Sequence, residues 1–115
     1  MTPHDLSKFR TRLPECDLVL FADIGSRTVL AASGALRHPQ EYLDALAGVA
    51  AEVFADGTEF RGAASTEALF LSPTGLRAFF RSADDPAEAL ACICGPGVDL
   101  GNLRAASHAI LGPRG

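Results

Sequence analysis

The chain has 115 residues, 48% of them hydrophobic, and a formal net charge of −4. That length suits one domain, 1–115, with its own core, and the apolar fraction excludes a disordered chain. The acidic balance, with Lys8 the only lysine among scattered arginines, argues against nucleic acid and against an anionic membrane surface.

Taken in order, Thr2-Pro3-His4-Asp5 has the form of a helix start, with Thr2 as N-cap and Asp5 three positions on. Leu6, Phe9 and Leu13 follow at helical spacing until Pro14. Residues 1–15 carry no apolar signal segment, and no run approaches the ~18 residues of a membrane span. A soluble, cytoplasmic protein is expected. Asp17 to Asp23 predicts a first strand, apolar on both faces and therefore central. Ile24-Gly25-Ser26-Arg27 is a turn, and Thr28 to Ser33 returns as the second strand of a hairpin.

His38-Pro39-Gln40 through Asp56-Gly57 predicts one long helix, with Pro39 at its first position and Gly57 just past its end. Leu43, Leu46, Ala47, Ala50, Val53 and Phe54 form one apolar stripe. A second stripe of Tyr42, Ala45 and Val49, with Gly48 beside it and Glu52 at its edge, suggests close approach of another helix. A second copy of the chain would supply one.

Asp56 to Ser65 is a polar, glycine-bearing loop with Phe60 as its large apolar residue, either mobile or binding. Three strands follow. Thr66 to Ser72 alternates Glu67, Leu69 and Leu71 against Ala68 and Phe70. After the turn Ser72-Pro73-Thr74-Gly75, Leu76 to Arg81 places Arg77 and Arg81 on one face. Glu88 to Cys94 is apolar on both faces and so central. Asp99 caps a last helix with Leu100, Leu103, Ser107, Ile110 and Leu111 inward and Arg104 and His108 outward. The order α-β-β-α-β-β-β-α describes an α+β fold: a five-stranded, mostly antiparallel sheet with helices on both faces.

The hairpin Leu18-Val19-Leu20-Phe21-Ala22-Asp23…Thr28-Val29-Leu30-Ala31-Ala32-Ser33-Gly34 resembles the Roadblock family, which includes dynein light chains. So do the long helix through Leu43, Leu46 and Ala50, the run Ala91-Cys92-Ile93-Cys94, and Asp99-Leu100-Gly101-Asn102-Leu103-Arg104. The resemblance covers nearly the whole chain. It implies a profilin-like sheet of order 2-1-5-4-3. It further implies a homodimer with third strands paired edge to edge and long helices side by side. In this sequence that assigns the dimer interface to Tyr42, Ala45, Gly48, Val49, Glu52, Glu67, Leu69, Phe70 and Leu71. Because the family's bacterial members are partnered with small GTPases, it implies a non-catalytic GTPase-binding or GTPase-regulating module. The glycine-rich loop before the third strand and the Gly25-Ser26-Arg27 turn, in place of an acidic one, depart from the family pattern.

Catalytic and metal chemistry finds little support beside this. Gly95-Pro96-Gly97-Val98-Asp99 sits where a phosphate loop would. Its glycine spacing is off by one, and Asp99 repels phosphate, so a structural turn is expected. No P-loop lysine is present, so the chain is not itself a GTPase. Cys92 and Cys94 share a sheet face. With Cys16 they are expected to be reduced core thiols, since His4, His38 and His108 sit at separate ends of elements and no zinc site is expected. No nucleophile elbow or cysteine-protease signature occurs. No enzyme activity and no cofactor is expected. Phe60, Arg77, Phe79 and Arg81 are candidate contacts for an acidic partner, the competing reading for that strand being a solvated or helix-covered face. The alternative function is a ligand sensor with a pocket beside the sheet, and a third is a thiol or metal enzyme using Cys92 and Cys94.

Overall fold

The computed structural model describes residues 1–55, 59–60, 63–64, 66–82 and 84–112, with the backbone alone for 59–60 and 63–64. The elements are α1 (Pro3–Thr11), β1 (Cys16–Asp23), β2 (Thr28–Gly34), α2 (Gln40–Val53), β3 (Glu59–Phe60), β4 (Ala63–Ala64), β5 (Glu67–Ser72), β6 (Gly75–Arg81), β7 (Glu88–Cys94) and α3 (Leu100–Leu111). Five strands form one sheet in the order β2-β1-β7-β6-β5, antiparallel at every junction. Counting only those five, this is the expected order 2-1-5-4-3, with the first and last strands inside. The short β3–β4 pair stands apart as its own two-stranded sheet, within the stretch expected to be loop.

The central strands are apolar on both faces because both faces are covered. Leu18, Leu20 and Ala22 of β1 pack with Phe79, Ala89 and Ala91 beneath Leu46, Ala47, Ala50 and Phe54 of the α2 segment. Cys16, Val19 and Phe21 turn the other way and join Phe80, Leu90 and Cys92 beneath α1 and α3. Cys16 and Val19 are three residues apart yet share a face, because the β1–β7 register shifts between Cys16 and Leu18. One extra residue in a strand re-aims the side chains beyond it.

The helix ends reflect local chemistry. Thr2 and Asp5 form the reciprocal cap, with the Asp5 N–H donating to Thr2 Oγ1 at 3.2 Å and the Thr2 N–H to Asp5 Oδ2 at 2.8 Å. Pro39 is the N-cap of α2 rather than its first helical residue. Its ψ of 148° is extended, and its carbonyl takes the first helical bonds, from Tyr42 and Leu43. The expected cap at Gly57 lies outside the described residues. Asp99 caps α3 by accepting from the Asn102 N–H at 3.0 Å. Leu103, Ser107 and Leu111 are buried as expected, but Leu100 is exposed. Helical side chains tilt toward the N-terminus, so a residue at the first position projects past the helix end.

Gly75 starts β6 at φ 155°, and a Cβ there would collide with the Cys94 carbonyl oxygen across the ladder. Replacing Gly75 by Ala forces both a strained φ and a backbone shift. Gly75→Ala is expected to cost roughly 1–3 kcal/mol, read as a lower urea midpoint at unchanged slope.

Candidate functional site

The outer face of α2 carries the second stripe. Val49 is 38% exposed, Ala45 is exposed, and Gly48 is half-buried. A Cβ on Gly48 would meet nothing nearer than Arg27 Nη1 at 4.0 Å, so this subunit's own packing does not require glycine there. Tyr42 is half-buried and stacks on His38, ring centroids 5.3 Å apart. Glu52 reaches across to the β1–β2 turn and pairs with Arg27 at 3.1 Å, both side chains being largely exposed. Such a pair contributes little to stability.

Among the described residues strand β5 is a sheet edge, paired with β6 alone. Leu69 is exposed, Phe70 is 51% exposed and Leu71 81%. Ala68 packs toward α2, and Phe70 lies edge-on to Phe79 at 5.8 Å, so these two face the α2 side. Glu67, Leu69 and Leu71 alternate to the other side. Glu67 is anchored there by α3. Arg104 Nη2 lies 2.8 Å from its Oε1, and His108 Nε2 lies 2.7 Å from its Oε2. The His108 ring also meets Phe80 edge-on at 5.4 Å. Arg104 and His108, expected to point outward, thus pin the edge strand to the last helix. Their four-residue spacing was visible in the sequence. That it faces β5 depends on the sheet order.

The candidate partner residues separate. Arg77 is exposed and pairs in register with Phe70 of β5. Phe79 and Arg81 are not surface residues. Phe79 is 1% exposed beneath α2. Arg81 is 9% exposed, its guanidinium carbon 4.9 Å from the Phe54 ring centroid and its Nη1 3.4 Å from the Phe54 carbonyl. The helix-covered reading of this strand face therefore holds at its Arg81 end, and only Arg77 stays open. The backbone of Phe60 lies in β3, and its side chain lies outside the described residues. Phe70, Leu71, Arg77 and Ile93 line a cavity of about 400 Å3 beside the edge.

Gly95 lies close against Glu15, donating its N–H to the Glu15 carbonyl at 2.8 Å, and Asp99 fills the helix N-terminus where a phosphate would sit. Cys16, Cys92 and Cys94 are free, buried thiols. Among the described residues no group of His, Cys, Asp and Glu could hold a metal ion, and no helix is long and apolar enough to cross a membrane. A cavity of about 310 Å3 between α1 and α3 is lined by Phe9, Ala106 and Ile110 with Lys8 and Arg12 at its rim.

No family model and no curated protein matches this sequence. Solved structures do. The chain superposes on a Roadblock/LC7 domain from Streptomyces avermitilis with a TM-score of 0.77 at 15% identity, covering 91% of this chain and 87% of that one. It is similar to the gliding protein MglB from Thermus thermophilus, with a TM-score of 0.71, 17% identity, and coverage of 94% and 81%. A further MglB, solved in a tetrameric arrangement, gives 0.72 at 16% identity, covering 94% and 80%. The chain therefore has the Roadblock/LC7 fold.

The hydrogen bond from His108, then that from Arg104, holds the Glu67 carboxyl below its ordinary value of 4.5, against the opposing effect of burial. A depressed carboxyl contributes stability above the unfolded value and loses it as pH falls through the folded one. Wild type is therefore expected to be more stable than Glu67→Gln at neutral pH. The gap is expected to close as the pH drops below 4.5, as read by thermal melts at stepped pH.

Proposed function

We propose that the chain is a bacterial Roadblock-family member. In this reading it is a non-catalytic, cytoplasmic homodimer that binds or regulates a small Ras-like GTPase. The observation that carries the reading is the apolar edge of β5, Leu69-Phe70-Leu71, lying exposed on the molecule that also presents Val49 on the outer face of α2. An unpaired apolar edge is a template for another strand. A two-fold axis pairs the same patch with itself, joining β5 to β5 and α2 to α2. Ala45, Gly48 and Val49 allow close helix approach, Tyr42 and Glu52 flank them, and Glu67 is already ordered by α3. The tetrameric arrangement of one MglB supports the same reading.

Pairing the edges brings two copies of Phe70 and Arg77 near the dimer axis. An exposed arginine beside aromatic surface suits an acidic partner face. With no arginine among the described residues assigned as a catalytic finger, any effect on GTP hydrolysis comes from positioning the partner's own loops.

Sedimentation is expected to give twice the 12.0 kDa subunit mass. Val49→Glu and Phe70→Lys are each expected to raise the dimer dissociation constant by on the order of 30-fold or more, the scale of a central interface residue. Circular dichroism serves to confirm the fold of each variant. A wild-type monomer at tens of micromolar would defeat the dimer. For the GTPase, calorimetry against bacterial Ras-like GTPases loaded with GDP or a non-hydrolysable GTP analogue is expected to show preference for one state. Arg77→Glu is expected to weaken it about tenfold. No binding in either state would defeat the partner assignment while leaving the dimer intact.

A second reading, a ligand sensor, draws on the 310 Å3 cavity between α1 and α3, which is at the small end of ligand pockets. A small molecule retained in native mass spectrometry and lost in Phe9→Trp would favour it.

A further inference from the structure

The chain's three cysteines, Cys16, Cys92 and Cys94, meet in one patch of core on the α1 and α3 side of the sheet. The proposed interface uses none of them. Their geometric relations differ. Cys16 and Cys94 are direct partners in the β1–β7 ladder. On one side of this pair the Gly95 N–H donates to the Glu15 carbonyl at 2.8 Å, the bond that flanks a non-hydrogen-bonded pair. Such pairs are the closer type, with Cα atoms about 4.5 Å apart and side chains on one face. That lies within the roughly 4.4–6.8 Å a disulfide accepts.

The other two combinations fit poorly. Cys92 is diagonal to Cys16, a relation of about 7–8 Å in a regular ladder, although its thiol hydrogen-bonds with that of Cys16. Cys92 and Cys94 are two steps apart on one strand, about 6.6 Å, with their Cβ bonds side by side rather than converging. The register therefore favours Cys16 with Cys94, the direct ladder partners.

The surroundings favour reaction at Cys16. Its thiol is held below the ordinary value first by hydrogen bonds from Cys92 and Cys94, then, against burial, by the charge of Arg10. Arg10 Nε donates to the Cys16 carbonyl at 3.2 Å, which fixes the guanidinium nearby. The hydrogen bond with Cys16, then burial, pushes Cys94 up. Cys94 also lines the cavity of about 400 Å3 at the strand ends, with Gly75 and Leu76.

We propose that Cys16 and Cys94 are a redox-active pair, closed by a hydroperoxide into a cross-strand disulfide while Cys92 stays a thiol. The Cys16 thiolate attacks the peroxide oxygen and the O–O bond breaks. The leaving hydroxide or alkoxide takes a proton, and Cys16 becomes a sulfenic acid. Cys94 then gives up its proton and its sulfur attacks the Cys16 sulfur. The S–O bond breaks and water leaves. Two thiols lose two electrons, and the peroxide gains them. The crosslink ties the α1–β1 junction to the turn that leads into α3, without touching β5 or the outer face of α2.

The test is to treat the folded protein with hydrogen peroxide, block remaining thiols under denaturing conditions, and map the peptides. The expected result is an intact mass lower by two hydrogens, a Cys16–Cys94 crosslink and a blocked Cys92. Melting should rise by about 5 °C or more and return with dithiothreitol. Cys92→Ala keeps the crosslink; Cys16→Ala and Cys94→Ala abolish it. If either of those variants fails to fold, the wild-type peptide map alone decides. A crosslink through Cys92 would overturn the assignment. So would sulfinic acid without a crosslink, a bridge between two chains, a folded protein inert to peroxide, or a crosslinked form that melts lower.

Discussion

Helix α2 is the α-helical cover, among the described residues, for one face of the sheet, and its fit there sets what the rest of the molecule presents. Ala47 and Ala50 on the helix meet Ala89 and Ala91 on β7, with Leu18, Leu20 and Leu46 filling between them. Small residues on both sides let the axis lie close to the sheet. Burying each leucine side chain there contributes roughly 1.5–3 kcal/mol. With the inner stripe committed in this way, helical geometry leaves Ala45 and Val49 outward, on the side of the sheet toward which Phe70 turns. The second stripe of α2 and Phe70 of the edge β5 thus lie on the same side of the sheet.

Arg77 and Arg81 show how finely that packing sorts identical residue types. They share a strand face, four residues apart, a separation of about 13 Å. The Arg81 end lies under the end of α2. There the guanidinium stacks on Phe54 and donates to its carbonyl, as cations do at a helix C-terminus. The Arg77 end lies beside the β5–β6 turn and stays in solvent. One arginine is a fastening of the fold, and the other stays exposed.

The sheet and its helices were legible because their periods are strong. Double-sided apolar runs marked β1 and β7 as interior, the Thr2–Asp5 and Asp99 caps marked two helix starts, and two stripes marked α2. What could not be read was what depends on placement across the sheet. Nothing in the spacing of Arg104 and His108 says that Glu67 lies opposite. Nothing in Phe79 or Arg81 says where α2 ends above them. The convergence of Cys16 on Cys94 needed both the sheet order and the β1 bulge. The shift of Pro39 from first helical residue to N-cap is smaller. Its fixed φ suits both positions, and only ψ distinguishes them.

The two edges of the sheet are built differently, and that difference bears on the proposed assembly. β2 is interrupted: its register with β1 shifts at Phe21 and Ala22, where Leu30 is passed over, and Arg27 and Arg37 flank the strand. A bulge and flanking charges are the usual means of discouraging a stray strand. β5 has neither. Its pairing with β6 runs unbroken from Glu67 to Ser72, and its exposed large residues are leucine, phenylalanine and leucine. An edge left regular and apolar invites aggregation unless it is covered, while its opposite number on the same sheet is protected. That contrast is what a chain needs if one edge is to meet a second copy and the other is to meet nothing.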